Sequence, residues 1–355
     1  MFDCAKDVLA YHNGEVSLPQ SERTNMRDRR DANRKRIRKG LEEQKRPKPI
    51  EFCKQGSYAM KTMVQHPDCK HDIDDGIYFE KDDLKGPNGG DMSALDARKM
   101  VRDAVDDGSF KTAPEVLKNC IRVYYDAGYH VDIPVYRRVV TKDSWGNEQV
   151  YFELASADWK RSDARDVTDW FDKENQTQSP DTENGRQLRR MTRDIKKFVE
   201  SRSSWEGMTS GFMITKLATE LYRKNANRED ESLYDTMKAV RDRLELSLVV
   251  SHPVTPDDTI TNGTDDPKAR FLKERLSDAI SWLAPLFNST CTREKALKAW
   301  DKVYNTDFFI KRLEFDQEES ESKVDAASLL TAGLVKNWNT VEERPVHKEG
   351  GGRYA

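Results

Sequence analysis

Apolar residues recur through the second half of the chain at the spacing of a helix face. Leu188, Met191, Ile195, Phe198 and Val199 form one stripe, and Ile214, Leu217, Leu221 and Tyr222 a second. Leu233, Met237, Val240, Leu244 and Leu248 form a third, and Leu272, Leu276, Ile280 and Leu283 a fourth. Each stripe is the buried face of an amphipathic helix, so the chain past Ser162 reads as almost wholly helical. The first half follows a different period. His71 to Phe79 and Tyr129 to Tyr136 alternate in polarity as half-buried strands do, and Glu148 to Leu154 is rich in strand formers. Helices are predicted over about Met92–Asp106 and Ala113–Ala127, with Gly108 and Gly128 as punctuation. Upstream, a long helix over about Ser21–Glu43 stops before Arg46-Pro47-Lys48-Pro49, and a short one follows Gly56-Ser57. The fold class is α/β (α+β), a mixed first half leading through a hinge at Ser179–Arg186 into a helical second half.

Composition narrows the setting. Of 355 residues, 36% are hydrophobic and 35% charged, and no stretch approaches the roughly 20 apolar residues of a spanning helix, so no membrane is expected. The first residues lack a basic segment followed by an apolar core, and no signal peptide is read. Five scattered cysteines (Cys4, Cys53, Cys69, Cys120, Cys291) without CxxC spacing fit a reducing, cytoplasmic location. With 60 basic against 63 acidic residues, the whole chain is no nucleic-acid sponge. The segment 23–48 is nevertheless dominated by Arg and Lys. It reads as the solvated face of the long helix, as a nucleic-acid contact, or as part of a funnel for anionic nucleotides; it has no interleaved aromatics on which bases could stack.

Candidate chemistry begins at Asp72-Ile73-Asp74. On a strand the two aspartates share a face and Ile73 takes the other. Carboxylates that close repel one another unless a cation lies between them, and hard oxygen donors select Mg²⁺, with Mn²⁺ as a substitute, over zinc. A second alternating run puts Asp132 opposite Val131 and Ile133. If it lies beside the first, three carboxylates can hold two metals, the arrangement of in-line phosphoryl or nucleotidyl transfer. Fifteen residues before Asp72 stands Ser57, in Lys54-Gln55-Gly56-Ser57-Tyr58-Ala59. Glycine there lets the backbone approach a phosphate, and the hydroxyl and N–H groups of a helix start can bind it. Asp75 is expected to point away from the pair, as a turn or solvent residue. His66, Cys69 and His71 could open a zinc site, yet no fourth ligand follows at usable spacing.

These motifs together resemble the bacterial cGAS/DncV-like nucleotidyltransferases (CD-NTases), a branch of the polymerase-β-like superfamily. The resemblance rests on Gln55-Gly56-Ser57-Tyr58, His71-Asp72-Ile73-Asp74-Asp75-Gly76 and His130-Val131-Asp132-Ile133-Pro134-Val135-Tyr136. Ser162-Asp163-Ala164-Arg165 is similar to the family's SDPR-type segment, with Ala164 in place of proline. His252-Pro253-Val254 is similar to its NPV-type turn, with histidine in place of asparagine. The resemblance implies a polymerase-β-like core with the long N-terminal helix over residues 1–180, a helical lobe over 181–315 and a flexible tail over 316–355. It implies that Asp72, Asp74 and Asp132 are catalytic and metal-binding. It gives nucleotide binding to Gln55, Gly56 and Ser57, and to Lys196 (with Lys197 as neighbouring candidate) and Ser210.

The implied activity is synthesis of a cyclic di- or trinucleotide from nucleoside triphosphates, ATP or GTP foremost, in anti-phage defence, with a product-activated effector protein and no nucleic-acid requirement. A second reading keeps the site but changes the product, a terminal nucleotidyltransferase acting on RNA or protein. A third is a non-catalytic nucleotide-binding protein. The closing Gly350-Gly351-Gly352-Arg353-Tyr354-Ala355 is similar to family tails joined through their last residue, here Ala355, by E1/E2-like conjugation enzymes.

Overall fold

A nine-residue strand, β2 (Asp72–Glu80), organises the first half of the protein. Ile73, Ile77, Tyr78 and Phe79 are all wholly buried, as a strand covered on both faces requires. One edge of β2 takes β1 (Glu51–Gln55) antiparallel, with Gln55 opposite Asp74. The other edge takes β5 (His130–Ile133) and then β6 (Val135–Lys142), both parallel to β2. Pro134 separates them; it has no N–H to give, but its carbonyl accepts the amide of Ile77 at 2.9 Å. Outward from β5 lie β4 (Ile121–Tyr124) and β3 (Glu115–Val116); outward from β6 lie β7 (Glu148–Ala155) and β8 (Trp159–Arg161). The computed structural model describes residues 1–66, 72–126, 128–205 and 209–313. His71, Cys69 and the tail with Ala355 therefore lie outside the described residues.

The helix expected near Ala113–Ala127 is not there: β3 and β4 occupy that stretch. Ile121 and Val123 alternate into the core while Arg122 and Tyr124 face the other way, and this pairing with β5 outweighs local helix propensity. The other expected helices of this half are present, as α2 (Gln20–Glu43), α3 (Gly56–Met60) and α4 (Ala94–Val105). A Cβ on Gly40 would overlap the Ala104 backbone, so glycine permits the close crossing of α2 and α4. Part of the basic face of α2 turns inward, while Arg27, Lys35, Arg38 and Lys39 stay exposed. Arg34 forks onto Asp75 at 2.7 and 2.5 Å; Arg29 lies over Tyr125 and Tyr129, Arg36 over Phe110, and Arg38 over Phe52. Asp75 thus points away from Asp72 and Asp74, but it is buried and fastens α2 to the sheet rather than meeting solvent.

After α5 (Ala164–Gln178) come α6 (Gln187–Val199), α7 (Gly211–Leu221), α8 (Glu229–Leu246), α9 (Pro267–Leu283) and α10 (Arg293–Tyr304). Their apolar stripes meet in one cluster that includes Leu188, Met191, Phe198, Leu217, Leu233, Met237, Leu272 and Leu276. Cys4, Val8, Tyr11 and Val16, in and around α1 (Ala5–Tyr11), join this cluster, whereas Met26, Ile37 and Leu41 of α2 join the sheet's. Packing therefore divides the segment expected to belong wholly to the core: residues 4–16 sit with the helical lobe. Among the described residues no helix is long and apolar enough to cross a membrane.

Candidate active site

Strand register does the first part of the assembly. Asp72 and Asp74 share a face at the start of β2, and Asp74 stands directly opposite Asp132 of β5 across a parallel pair. Asp72 stands opposite His130, whose Nε2 lies 2.5 Å from Asp72 Oδ1. β4 adds a residue that the sequence reading missed. Arg122 is the register partner of Asp132, and its Nε and Nη2 donate to the two carboxylate oxygens at 2.8 and 2.7 Å. The signal for it was the four-residue alternation Ile121-Arg122-Val123-Tyr124, submerged in a stretch of helix formers.

Asp132 is buried and Asp72 exposed, with Asp74 half-buried. Burial, with Asp132 and then Asp72 beside it, pushes the Asp74 carboxyl up to about 7, against the pull of His130 and Arg122. Over it lies the backbone of Gly56 at φ +60, where a Cβ would overlap Asp74 Oδ2. Glycine is required there twice, for its conformation and for its lack of a side chain. Ser57 follows in the first turn of α3 and lines the cleft with Gly56, Asp72 and Asp74. Gln55 does not line it. Its buried amide donates to the Tyr78 hydroxyl at 2.8 Å and accepts from that of Tyr136 at 3.2 Å. It is placed to hold the strand end below Gly56 rather than to reach a ligand. The same network continues to Asp163, which accepts from Tyr78, caps α5 and pairs with Arg165.

The helical lobe forms the facing wall. Lys196 on α6 is buried, donates to Thr62 Oγ1 at 3.0 Å and to the Thr62 carbonyl at 3.3 Å, and sits beside Gly211. Burial lowers its ammonium to about 8. Lys197 instead donates to the Gln65 carbonyl at 2.8 Å, and of the two lysines it is Lys196 that lines the cleft. Ser210 is the N-cap position of α7 without a side-chain cap bond; Gly211 and Phe212 line the cleft, whereas Ser210 and Asp132 are next to lining residues without lining it themselves. The cleft between the walls encloses about 1450 Å³. Lys118, Tyr151, Phe152 and Arg161 add cationic and aromatic surface. The buried Arg98 fixes the floor by donating to the carbonyls of Leu117, Lys118 and Ser156.

The donor chemistry of this cleft suits a hard divalent cation. A carboxyl raised by two neighbouring carboxylates is relieved by a metal charge, and magnesium takes one or two carboxylates together with substrate phosphates rather than a closed protein cage. Among the described residues no three Asp, Glu, His or Cys side chains, these aspartates included, are arranged as a set that could hold a metal ion. Arg122 engages both oxygens of Asp132 and His130 faces Asp72, so metal binding would redistribute those contacts.

Residues 50–136 match the family described as cyclic GMP-AMP synthase DncV-like, nucleotidyltransferase domain. A relative, the cyclic GMP-AMP synthase of Escherichia albertii, is 24% identical over 227 residues, which cover 61% of this chain and 47% of that protein. The chain thus spans about half the length of that relative. The CD-NTase CdnG of Bradyrhizobium diazoefficiens, solved in complex with GTP, superposes with a TM-score of 0.64 at 17% identity, covering 87% of this chain and 97% of that one. Vibrio cholerae DncV, solved with the linear intermediate 5′ pppA(3′,5′)pG, gives a TM-score of 0.61 at 17% identity over 82% and 91%. CdnC of Escherichia coli MS115-1 with ATP gives 0.61 at 16% identity over 86% and 98%. At these identities the solved structures speak for the fold, which is polymerase-β-like. Residues 50–136 are thus similar to the nucleotidyltransferase domain of the DncV-like enzymes, and the fold as a whole is similar to that of the solved CD-NTases.

Proposed function

We propose that the protein is a magnesium-dependent nucleotidyltransferase that joins nucleoside triphosphates into a cyclic di- or trinucleotide, releasing pyrophosphate. The carrying observation is the contact of Gly56 with Asp74, itself in register with Asp132, which puts a phosphate-approachable backbone against a carboxylate pair. Gly56 and Ser57 cradle the donor's outer phosphates, and Lys196 and the start of α7 supply cationic and N–H contacts from the opposite wall. Asp132 stands on the acceptor side, where its carboxylate favours removal of the 3′-hydroxyl proton as that oxygen bonds the α-phosphorus and the bond to pyrophosphate breaks. Mg²⁺ held by Asp72, Asp74 and Asp132, or Mn²⁺ in its place, would neutralise charge on the phosphates and on both exchanging oxygens.

The RNA-extending alternative drew on the basic segment 23–48. Arg29, Arg34 and Arg36 are engaged with Tyr125, Tyr129, Asp75 and Phe110, which leaves fewer cations of that segment for an RNA acceptor and favours the cyclic product. Cytoplasmic anti-phage signalling through an effector, and conjugation at Ala355 by E1/E2-like enzymes, belong to this proposal on family resemblance. The test is incubation of the four triphosphates with the protein and Mg²⁺ in the absence of RNA. A small phosphatase-resistant product identified by mass spectrometry is expected; a requirement for added RNA or protein acceptor would refute cyclisation.

A further inference from the structure

One stretch of the cleft wall is organised by a single side chain. The amides of Val254 and Thr255 donate to Nδ1 of His252 at 3.4 and 3.2 Å, and the Thr255 hydroxyl lies 2.9 Å from the same atom. The backbone of His252 in turn donates to the Asp258 carbonyl at 2.9 Å, and Asp258 reaches across the cleft to Lys160 at 3.6 Å. His252, Thr255, Asp258 and Lys160 all line the cleft.

Two backbone amides pointing at one ring nitrogen settle the tautomer. An amide N–H only donates, so Nδ1 must accept, and the hydrogen of the neutral ring sits on Nε2. Burial lowers the imidazole from its ordinary range, Lys160 adds to that, and Asp258 pulls the other way, so the ring is neutral at pH 7. Its centroid stands 5.4 Å from that of Phe212 in the first turn of α7, which lines the same wall. Among the described residues Nε2 has no hydrogen-bond partner, and the ring is only half-buried. The cleft therefore presents a donor of fixed direction beside an aromatic face.

Resting on the nucleotidyl-transfer reading, we propose that His252 reads a nucleobase, its Nε2–H donating to an exocyclic carbonyl of a base packed near Phe212. Guanine and uracil carry that carbonyl. Adenine and cytosine carry an amino group at the corresponding position, so donor would face donor and both would lose their partners. A site built around a hydrogen bond rejects the mismatched analogue because its own polar group is then left unpaired.

The experiment measures dissociation constants of GTP, UTP, ATP and CTP for the full chain, with Ca²⁺ replacing Mg²⁺ to hold the triphosphates unreacted. The wild-type protein is expected to prefer GTP over ATP and UTP over CTP by about tenfold or more. His252→Ala should bring both ratios to within about threefold of unity. His252→Asn should keep most of the preference, because its Oδ1 can accept the same two amides while its Nδ2 donates. A ratio unchanged in His252→Ala, with all four triphosphates weakened alike, would reduce His252 to a turn former and overturn the inference. A wild-type protein without keto preference would do the same. Failure of all four to bind would instead sink the nucleotidyl-transfer reading, and this inference with it.

Discussion

The two walls of the cleft are built by opposite means. On the sheet side, strand register alone sets Asp74 against Asp132 and Asp72 against His130. On the helical side, Lys196, Gly211 and His252 come from separate elements, aligned by packing and by hydrogen bonds local to each rather than by one register. The charges differ as well. The carboxylates are already paired with Arg122 and His130, while Lys196 rests on two neutral oxygens of Thr62. An arriving triphosphate with its cation must exchange contacts on the acidic wall and completes them on the basic one. Preorganisation by register is cheap, and preorganisation of a buried cation by packing is costly.

The comparison breaks most severely at Asp74. Asp74→Asn is expected to reduce product formation to the enzyme-free level in a radiolabelled-triphosphate assay, and retained turnover would show that the register pair is not the catalytic one. Gly56→Ala comes next. A side chain at φ +60 costs about 1–2 kcal/mol and here also meets the Asp74 carboxylate, so activity should fall at least tenfold and Tm should drop.

On the basic wall, Lys196→Met should raise the triphosphate Kd about tenfold to a hundredfold, the worth of one charge-assisted hydrogen bond. The same change should stabilise the empty protein at pH 7. With its pKa lowered from 10.5 to about 8, Lys196 binds fewer protons folded than unfolded between those values. Wild-type stability therefore rises with pH across that window, and the cost of burying the cation is fully present below it. Urea unfolding at pH 7 and pH 9.5 should show the Met variant ahead at the first pH and its lead narrowed at the second. The smallest expected effect on chemistry is that of Arg34→Gln. It removes the partner of the buried Asp75 and should cost about 2–3 kcal/mol of stability while leaving triphosphate Kd within twofold.

The acidic wall was largely legible in the sequence because strand alternation is a local rule: Asp72 and Asp74 had to share a face. That Asp132 lies beside Asp74 required a pairing that alternation only suggests. Arg122 stayed hidden because four alternating residues are too few to outweigh the helix-forming Ala113, Glu115, Leu117 and Lys118 around them. Asp75 was correctly turned from its neighbours, but its burial depends on how α2 crosses the sheet. The arginines of α2 found aromatics distant in sequence, which no search for interleaved rings within the segment could reveal. On the basic wall, resemblance pointed to Lys196 and left Lys197 open, since only the position of Thr62 distinguishes them.

The short segment at residues 4–16 has a bearing on how the chain reaches this state. The Cys4 amide donates to Asp230, and Asp7 pairs with Arg293 and with Arg312, 305 residues further on. During synthesis the sheet, α2 and α4 are complete long before those arginines leave the ribosome, so the first half can collapse while α1 waits. Closing so long a loop adds little equilibrium cost but delays the step. A segment made early is thus seated late, and a fusion placed ahead of residue 4 would compete with closure of the helical half while leaving the sheet to fold on schedule.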